Sequence, residues 1–315
     1  MTRLLAAATL LIPLLALPLA AEIRIGIIGA DTSHATAFTA MFNDPKNPDF
    51  IPGFRVVAAY KGGSADIEES RSRVDKFAAD LQSKYGVELV PDIAALLLKV
   101  DVVLLESVDG RTHLPQAKLV IAAGKPMFID KPLASTLEDA REIARLAAAA
   151  QVKWWSASAL RYADWLIAMK PAVVTGAITW GPGPLEEHHA LDLSWYAIHP
   201  IEMLYTLMGA GCEEVTRTVS ANAEVITGKW RDGRIGTVRT LKPYGGYGAV
   251  VFPEKGAVSS PAKTAVSYVP LVREIAKFFQ TGVVPVPNEE TLEMFGFMDA
   301  AQRSKDSGGI PQRIR

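Results

Sequence analysis

Lys131 and His199 are side chains whose types and settings suit chemistry. Lys131 lies in Gly124-Lys125-Pro126-Met127-Phe128-Ile129-Asp130-Lys131-Pro132-Leu133, where a glycine turn leads into a short apolar strand. Pro132 cannot donate to a sheet ladder, so it stops the strand and fixes where the lysine points. A lysine at the carboxyl end of a strand in an open α/β sheet stands where ligands bind, and its ammonium can stabilise charge on an oxygen. His199 lies in Trp195-Tyr196-Ala197-Ile198-His199-Pro200-Ile201-Glu202, at the opening of an apolar helix. Imidazole titrates near neutrality and suits proton transfer. A third stretch, Gly29-Ala30-Asp31-Thr32-Ser33-His34, joins a β-branched run to a helix. Hydroxyls and backbone amides at such a helix start can hold an anion.

These residues need a frame. Ile23 to Gly29 reads as a buried parallel strand, residues 34–43 as a helix and Phe54 to Tyr60 as a second strand. A charged helix is expected from about Ile67 to Tyr85, then a strand over Asp101–Leu105 and a helix over Thr112–Ala123. A strand over Pro126–Ile129, a helix over Glu138–Gln151 and a strand over Lys153–Ala157 complete the run. This alternation predicts an α/β fold with a Rossmann-like, doubly wound parallel sheet. The second half changes character. Ala172–Trp180, Val215–Ala223, Ala223–Lys229, Arg234–Thr240 and Tyr247–Phe252 read as strands, the last four as an antiparallel meander with a turn at Asp232-Gly233. Gly181-Pro182-Gly183-Pro184 reads as a loop, and Tyr268–Thr281 and Glu289–Ser304 as helices. The expected division is a leader over 1–21, a nucleotide-binding domain over 22–151 and an α+β substrate and dimerisation domain over 152–315.

From residue 22 onward the chain resembles the Gfo/Idh/MocA family of NAD(P)-dependent sugar and polyol oxidoreductases. The family's Glu-Lys-Pro appears as Asp130-Lys131-Pro132, and its Arg-Phe or Arg-Tyr as Arg161-Tyr162. His113, Ala117, Gly124 and Lys125 keep the order of its Thr-Pro-Asn-x-x-His segment, with His113 positioning a helix. The resemblance implies a catalytic Lys131 and an acid/base His199. It implies cofactor contacts at Gly29, Asp31, Thr32, Ser33, His34, Lys61, Ser107 and Asp130, and substrate contacts at Arg161, Trp180, Trp195 and Tyr196. Two departures stand out. Only the first glycine of the family's Gly-x-Gly-x-x-Gly turn is present, with Asp31 and His34 at the other two. The first Asp of its Asp-x-Gly-x-His-x-x-Asp pattern is Trp195, and Tyr196 or Asp192 could replace it. After the second strand no acid precedes Asp66, and Lys61 and Ser64 could accept a 2′-phosphate, which favours NADP over NAD.

Composition narrows the classes. The 315 residues are 49% hydrophobic and 21% charged, with net charge −1, which gives no footprint for nucleic acid or an anionic membrane. A single cysteine, Cys212, excludes an internal disulfide. Adjacent His188 and His189 point in different directions on regular structure, so no metal site is expected there. Arg3, the apolar run Leu4–Leu19 and Ala20-Ala21 read as a Sec-type secretory leader, broken by Pro13 and Pro18 and short for a bilayer span. Export, periplasmic or extracellular, is therefore expected, with no membrane attachment after cleavage. The open face of the second sheet is expected to be covered by another copy of the chain. The leading expectation is an exported NAD(P)-dependent oxidoreductase acting on a sugar, polyol or sugar derivative, its cofactor tightly held. The rivals are a nucleotide-free carbohydrate-binding protein on a relict dehydrogenase fold and an NAD-assisted glycosidase.

Overall fold

The computed structural model describes residues 22–315, and the leader expected over 1–21 lies outside the described residues. The first half forms a six-stranded parallel sheet from β1 (Ile23–Ile28), β2 (Phe54–Tyr60), β3 (Glu88–Val90), β4 (Val102–Leu105), β5 (Met127–Ile129) and β6 (Trp154–Trp155). Their order is β3-β2-β1-β4-β5-β6. The order reverses between β1 and β4, and at such a switch point an open sheet splays to admit ligands beyond its carboxyl ends. The sheet takes in β6, past the division expected after residue 151.

The connecting helices are α1 (Ser33–Asn43), α2 (Glu68–Arg71), α3 (Val74–Tyr85), α4 (Ile93–Leu97), α5 (His113–Ala122) and α6 (Leu137–Ala149). From Ile25 to Ile28, β1 is apolar because both its faces are covered there. Ile25 and Ile27 pack with Phe38, Phe42 and Leu81, whereas Ile28 packs with Val103, Val120 and Ile143 on the other side. The single helix expected over 67–85 is two, α2 and α3, with Ser72 and Arg73 between them.

Then follow α7 (Asp164–Met169), β7 (Gly176–Pro182), α8 (Ile198–Met208), β8 (Cys212–Val219), β9 (Ala223–Trp230), β10 (Ile235–Leu241), β11 (Gly248–Phe252), β12 (Val258–Ser259), α9 (Val269–Thr281), α10 (Asn288–Asp306) and β13 (Gln312–Arg313). The second sheet is ordered β12-β11-β7-β10-β9-β8-β13. The expected meander holds for β8-β9-β10 but not for β11, because β7 inserts between β10 and β11 and runs parallel to β10. Gly181 and Pro182 end β7 rather than forming a loop. On one face Thr179 donates to the Pro200 carbonyl of α8 at 2.7 Å. The opposite face leaves Ile178 and Ile235 exposed. Helix α9 returns to the first sheet, where Leu271, Ile275 and Phe278 pack with Phe38 and Trp155. Among the described residues no helix is long and apolar enough to cross a membrane.

Gly29 marks the tightest approach beside the switch point. Its φ is +93°, and a Cβ there would lie 2.4 Å from the backbone nitrogen of Ser107. That nitrogen and the Ser107 Cα, 2.5 Å away, are backbone atoms, so neither can step aside. Gly29→Ala is therefore expected to cost at least about 1–3 kcal/mol from the backbone conformation alone, read as a lowered denaturant midpoint. An unchanged midpoint would show that the β1 turn is looser than drawn.

Candidate active site

A cavity of about 260 Å³ opens beyond the carboxyl ends of β1, β4 and β5, between the two sheets. Thr32, Ser33 and His34 line one wall, Lys131 another, and Trp195, Tyr196 and His199 a third. Arg73, Tyr244, Tyr247 and Tyr268 complete it. Sequence reasoning missed these four, which come from three separate segments with nothing local to mark them.

Thr32 caps α1 by accepting from the His34 amide at 3.3 Å. Asp31 does not face the cavity. Its carboxylate accepts from Ser70 Oγ at 2.7 Å and from the Val108 amide at 3.1 Å, so its charge is turned away from any anion at the α1 start. His34 Nδ1 meets Asp130 Oδ2 at 2.7 Å, and the imidazole stacks on Phe38 with centroids 5.2 Å apart. Beside Asp130, Lys131 places its ammonium 5.9 Å from the centre of the Tyr196 ring. Burial pushes the Lys131 pKa down, against the pull of Asp130.

His199 Nδ1 lies 2.6 Å from Ser158 Oγ, which also accepts from the Leu160 amide at 3.1 Å. Ser158 in turn donates its backbone amide to Glu202 at 2.7 Å. Burial pushes the His199 pKa well below its ordinary value, with Lys131 and His34 acting in the same direction and Asp130 against. The ring is therefore neutral at neutral pH, and Nδ1 is engaged by Ser158. If Nδ1 carries the proton and donates to Ser158, Nε2 is the free base.

Several expected contacts lie elsewhere. Arg161 is buried and ion-paired to Glu202 at 2.7 Å and Glu290 at 2.8 Å, which makes it a brace for α8. Trp180 points to the sheet face away from α8, where its indole lies across Gly248 with no room for a Cβ. Asp192 cannot serve His199, because Arg217 holds it at 2.7 Å and Lys305 at 2.6 Å. Lys61 pairs with Asp75 on the surface. Ser107 is buried against Gln116 at 2.9 Å and acts through its backbone beside Gly29. Trp195 reaches the cavity but is buried against Ile67 and Val108, so it forms a wall rather than an open stacking face. His113 bridges the carbonyls of Ser107 and Leu133, a packing role.

One buried acid was not anticipated. Glu106, immediately after β4, is fully enclosed and neither carboxyl oxygen has a hydrogen-bond partner. Burial and then the repulsion of Asp130 push its pKa well above the ordinary value, against the pull of Lys131. An acid directly ending the apolar run Val102–Leu105 was the available signal.

Residues 23–158 match a family model described as an oxidoreductase family with an NAD-binding Rossmann fold. Over those residues the chain is thus similar to the Gfo/Idh/MocA oxidoreductases. An inositol 2-dehydrogenase from Paracoccus denitrificans is 43% identical over 82 residues, a stretch covering 25% of this chain and 24% of that protein. The match thus spans about a quarter of that relative. Among solved structures, GenD2 from gentamicin A biosynthesis, in complex with NAD, superposes with a TM-score of 0.74. It is 16% identical, covering 97% of this chain and 99% of that one. The Lactobacillus casei myo-inositol dehydrogenase, in complex with NAD(H) and myo-inositol, gives 0.72 at 18% identity, covering 93% and 97%. At these identities the structures establish a shared fold.

The residues at the α1 start fit the phosphate end of a dinucleotide. Gly29 keeps the close turn, Asp31 is turned away, and the start of the 11-residue α1 faces the cavity through Thr32 and Ser33. The other end is narrower. Ser64 donates to Asp109 at 2.6 Å and Arg111 to Asp66 at 2.8 Å, which ties the loop after β2 to the loop after β4.

The neutral, buried His199 gives a pH prediction. Its folded pKa lies below the unfolded value near 6.5, so acid favours the unfolded chain. Stability should be full above about pH 6.5 and fall by up to about 1.4 kcal/mol per pH unit below it from this residue alone. Denaturant midpoints between pH 7.5 and 5 should show a shallower acid loss in His199→Gln than in the native chain. Parallel curves would mean that His199 is not the buried neutral group.

Proposed function

We propose that this protein is an NAD(P)-dependent oxidoreductase acting on a small polyhydroxylated substrate, a sugar, polyol or sugar derivative. The observation that carries the proposal is a single cavity, at the carboxyl ends of a parallel sheet, lined by the α1 start, Lys131 and His199. Nicotinamide would supply the hydride acceptor when bound. Thr32 and Ser33 would hold its phosphates at the positive end of α1. His199, neutral and hydrogen-bonded to Ser158, takes the hydroxyl proton as the carbinol carbon is oxidised. Lys131 orients that oxygen and stabilises its developing negative charge. Four tyrosine hydroxyls and the Trp195 wall suit a substrate with several hydroxyls, in keeping with the inositol dehydrogenases among the relatives. Lys61, held only by a solvent-screened contact to Asp75, is the group that would turn to a 2′-phosphate and select NADP.

Export through the leader at 1–21 completes the proposal, with the cofactor retained rather than exchanged. The exposed Ile178 and Ile235 on the open sheet face are proposed to be covered by a second copy. Light scattering on the purified chain should give a multiple of the chain mass, and a strict monomer would sink that part.

The test of function is release of nucleotide from the denatured protein, read by mass spectrometry, with calorimetric titration of the apoprotein by NAD and NADP. Turnover on polyols should fall about 10²–10³-fold in Lys131→Met and about 10²–10⁴-fold in His199→Gln, with nucleotide affinity retained. Nucleotide neither released nor bound would reject the oxidoreductase and favour a carbohydrate-binding protein.

A further inference from the structure

We propose that His34, Glu106 and Asp130 form a binding site for one divalent transition-metal ion. The three residues come from the start of α1, the end of β4 and the end of β5, so the switch point itself brings them together. One ligand atom from each lies within 4.8 Å of the others, and all three residues are buried. Their backbones are held by the sheet: the Glu106 amide donates to Ile28 at 2.7 Å and the Asp130 amide to Leu105 at 2.8 Å.

What points to an ion is the set of unpartnered oxygens. Both carboxyl oxygens of Glu106 and Oδ1 of Asp130 are enclosed without a hydrogen-bond donor. A buried carboxylate without a donor or cation is costly, and Glu106 is such a group, with the free Oδ1 of Asp130 beside it. A divalent ion satisfies both at once. The imidazole is already prepared as a ligand. Phe38 stacks on it and Tyr268 meets it edge-on at 4.6 Å, which fixes the ring plane.

Donors each about 2.1 Å from an ion are at most about 4.2 Å apart. The cluster must therefore contract by a few tenths of an ångström, within the reach of carboxylate rotation. One imidazole and two carboxylates suit Zn²⁺ or Mn²⁺ better than Ca²⁺, which prefers oxygen ligands alone. Three protein ligands leave a fourth position, and His34 lines the cavity, which supplies the way in. Binding displaces the proton shared by His34 and Asp130 and any proton on Glu106. With Lys131 adjacent, two carboxylates, one ammonium and a divalent ion carry a net charge of +1 when both imidazoles are neutral. The loaded site therefore favours an anionic group in the cavity. The inference rests on the cluster alone and not on the proposed redox reaction.

The experiment is calorimetric titration of the chelator-stripped full chain with ZnCl₂ and with MnCl₂, alongside thermal melts with and without each metal. The expected result is one saturable site per chain and a metal-dependent rise in melting temperature. Glu106→Gln, near-isosteric and relieved of one buried charge, should fold and lose at least about tenfold in affinity, as should Asp130→Asn. His188→Ala, which removes an exposed histidine beside Glu186, should bind as the native chain does. Absence of saturable binding in the native chain would overturn the proposal and leave a proton as the occupant of the carboxyl pair. So would Glu106→Gln binding metal as tightly as the native chain, or loss of binding in His188→Ala instead.

Discussion

Asp130 and His34 meet at 2.7 Å across the mouth of the parallel sheet, and the site is arranged around that contact. Asp130 is buried, so its charge needs compensation. Burial alone would raise its pKa, but His34 and Lys131 outweigh burial and hold the carboxyl below its ordinary value. The contact ties the start of α1 to the end of β5. It thereby fixes where the helix points its first amides and where Lys131 leaves the strand. A histidine at the third position of the glycine turn is incompatible with the usual close packing of that turn, and here the same histidine is what anchors it.

His199 reaches the cavity from one well-braced helix, α8. Arg161 bridges Glu202 of α8 and Glu290 of α10, and Glu202 also accepts the Ser158 amide. Ser158 is thereby set 2.6 Å from His199. Ser158 is a neutral partner and leaves the imidazole neutral, as the proposed role of His199 as a base requires. Farther from the cavity, Arg217 of β8 is buried between Asp192 and Glu224 and ties β8 to β9 and to the segment before α8. Removing either partner of such a buried pair costs more than the pair contributes.

The phosphate turn and the loop after β2 oppose each other. Asp31, which would repel a diphosphate if it faced outward, is drawn inward by Ser70 and Val108. The same Ser70 hydroxyl accepts the Ser64 amide at 2.7 Å, and Ser64 reaches Asp109. Neutralising the turn and tethering the loop are thus one hydrogen-bond chain.

Strand and helix alternation over the first half was legible because each buried strand is an apolar run and each turn carries Gly, Pro or a helix-capping residue. Lys131 and His199 were legible as candidates because a strand ending in Lys-Pro and a histidine opening an apolar helix are local patterns, and the fold brings both to one cavity. The placing of β7 between β10 and β11 was not, since strand order depends on pairing between residues about 60 apart, which no window of sequence contains. Arg161, Trp180 and Asp192 carried suitable side chains, but only the fold decided that two are locked in ion pairs and one faces the wrong side of its sheet. Ser158 beside His199, and Glu106 beside Asp130 and His34, exist only once α1, β4, β5 and α8 converge. The sequence by itself determined which elements form and which residues could react, because propensity, capping and polarity act over a few residues. The tertiary structure alone decided which of those residues share a cavity and what charge each carries there, because burial and charge pairing depend on neighbours that are distant in the chain.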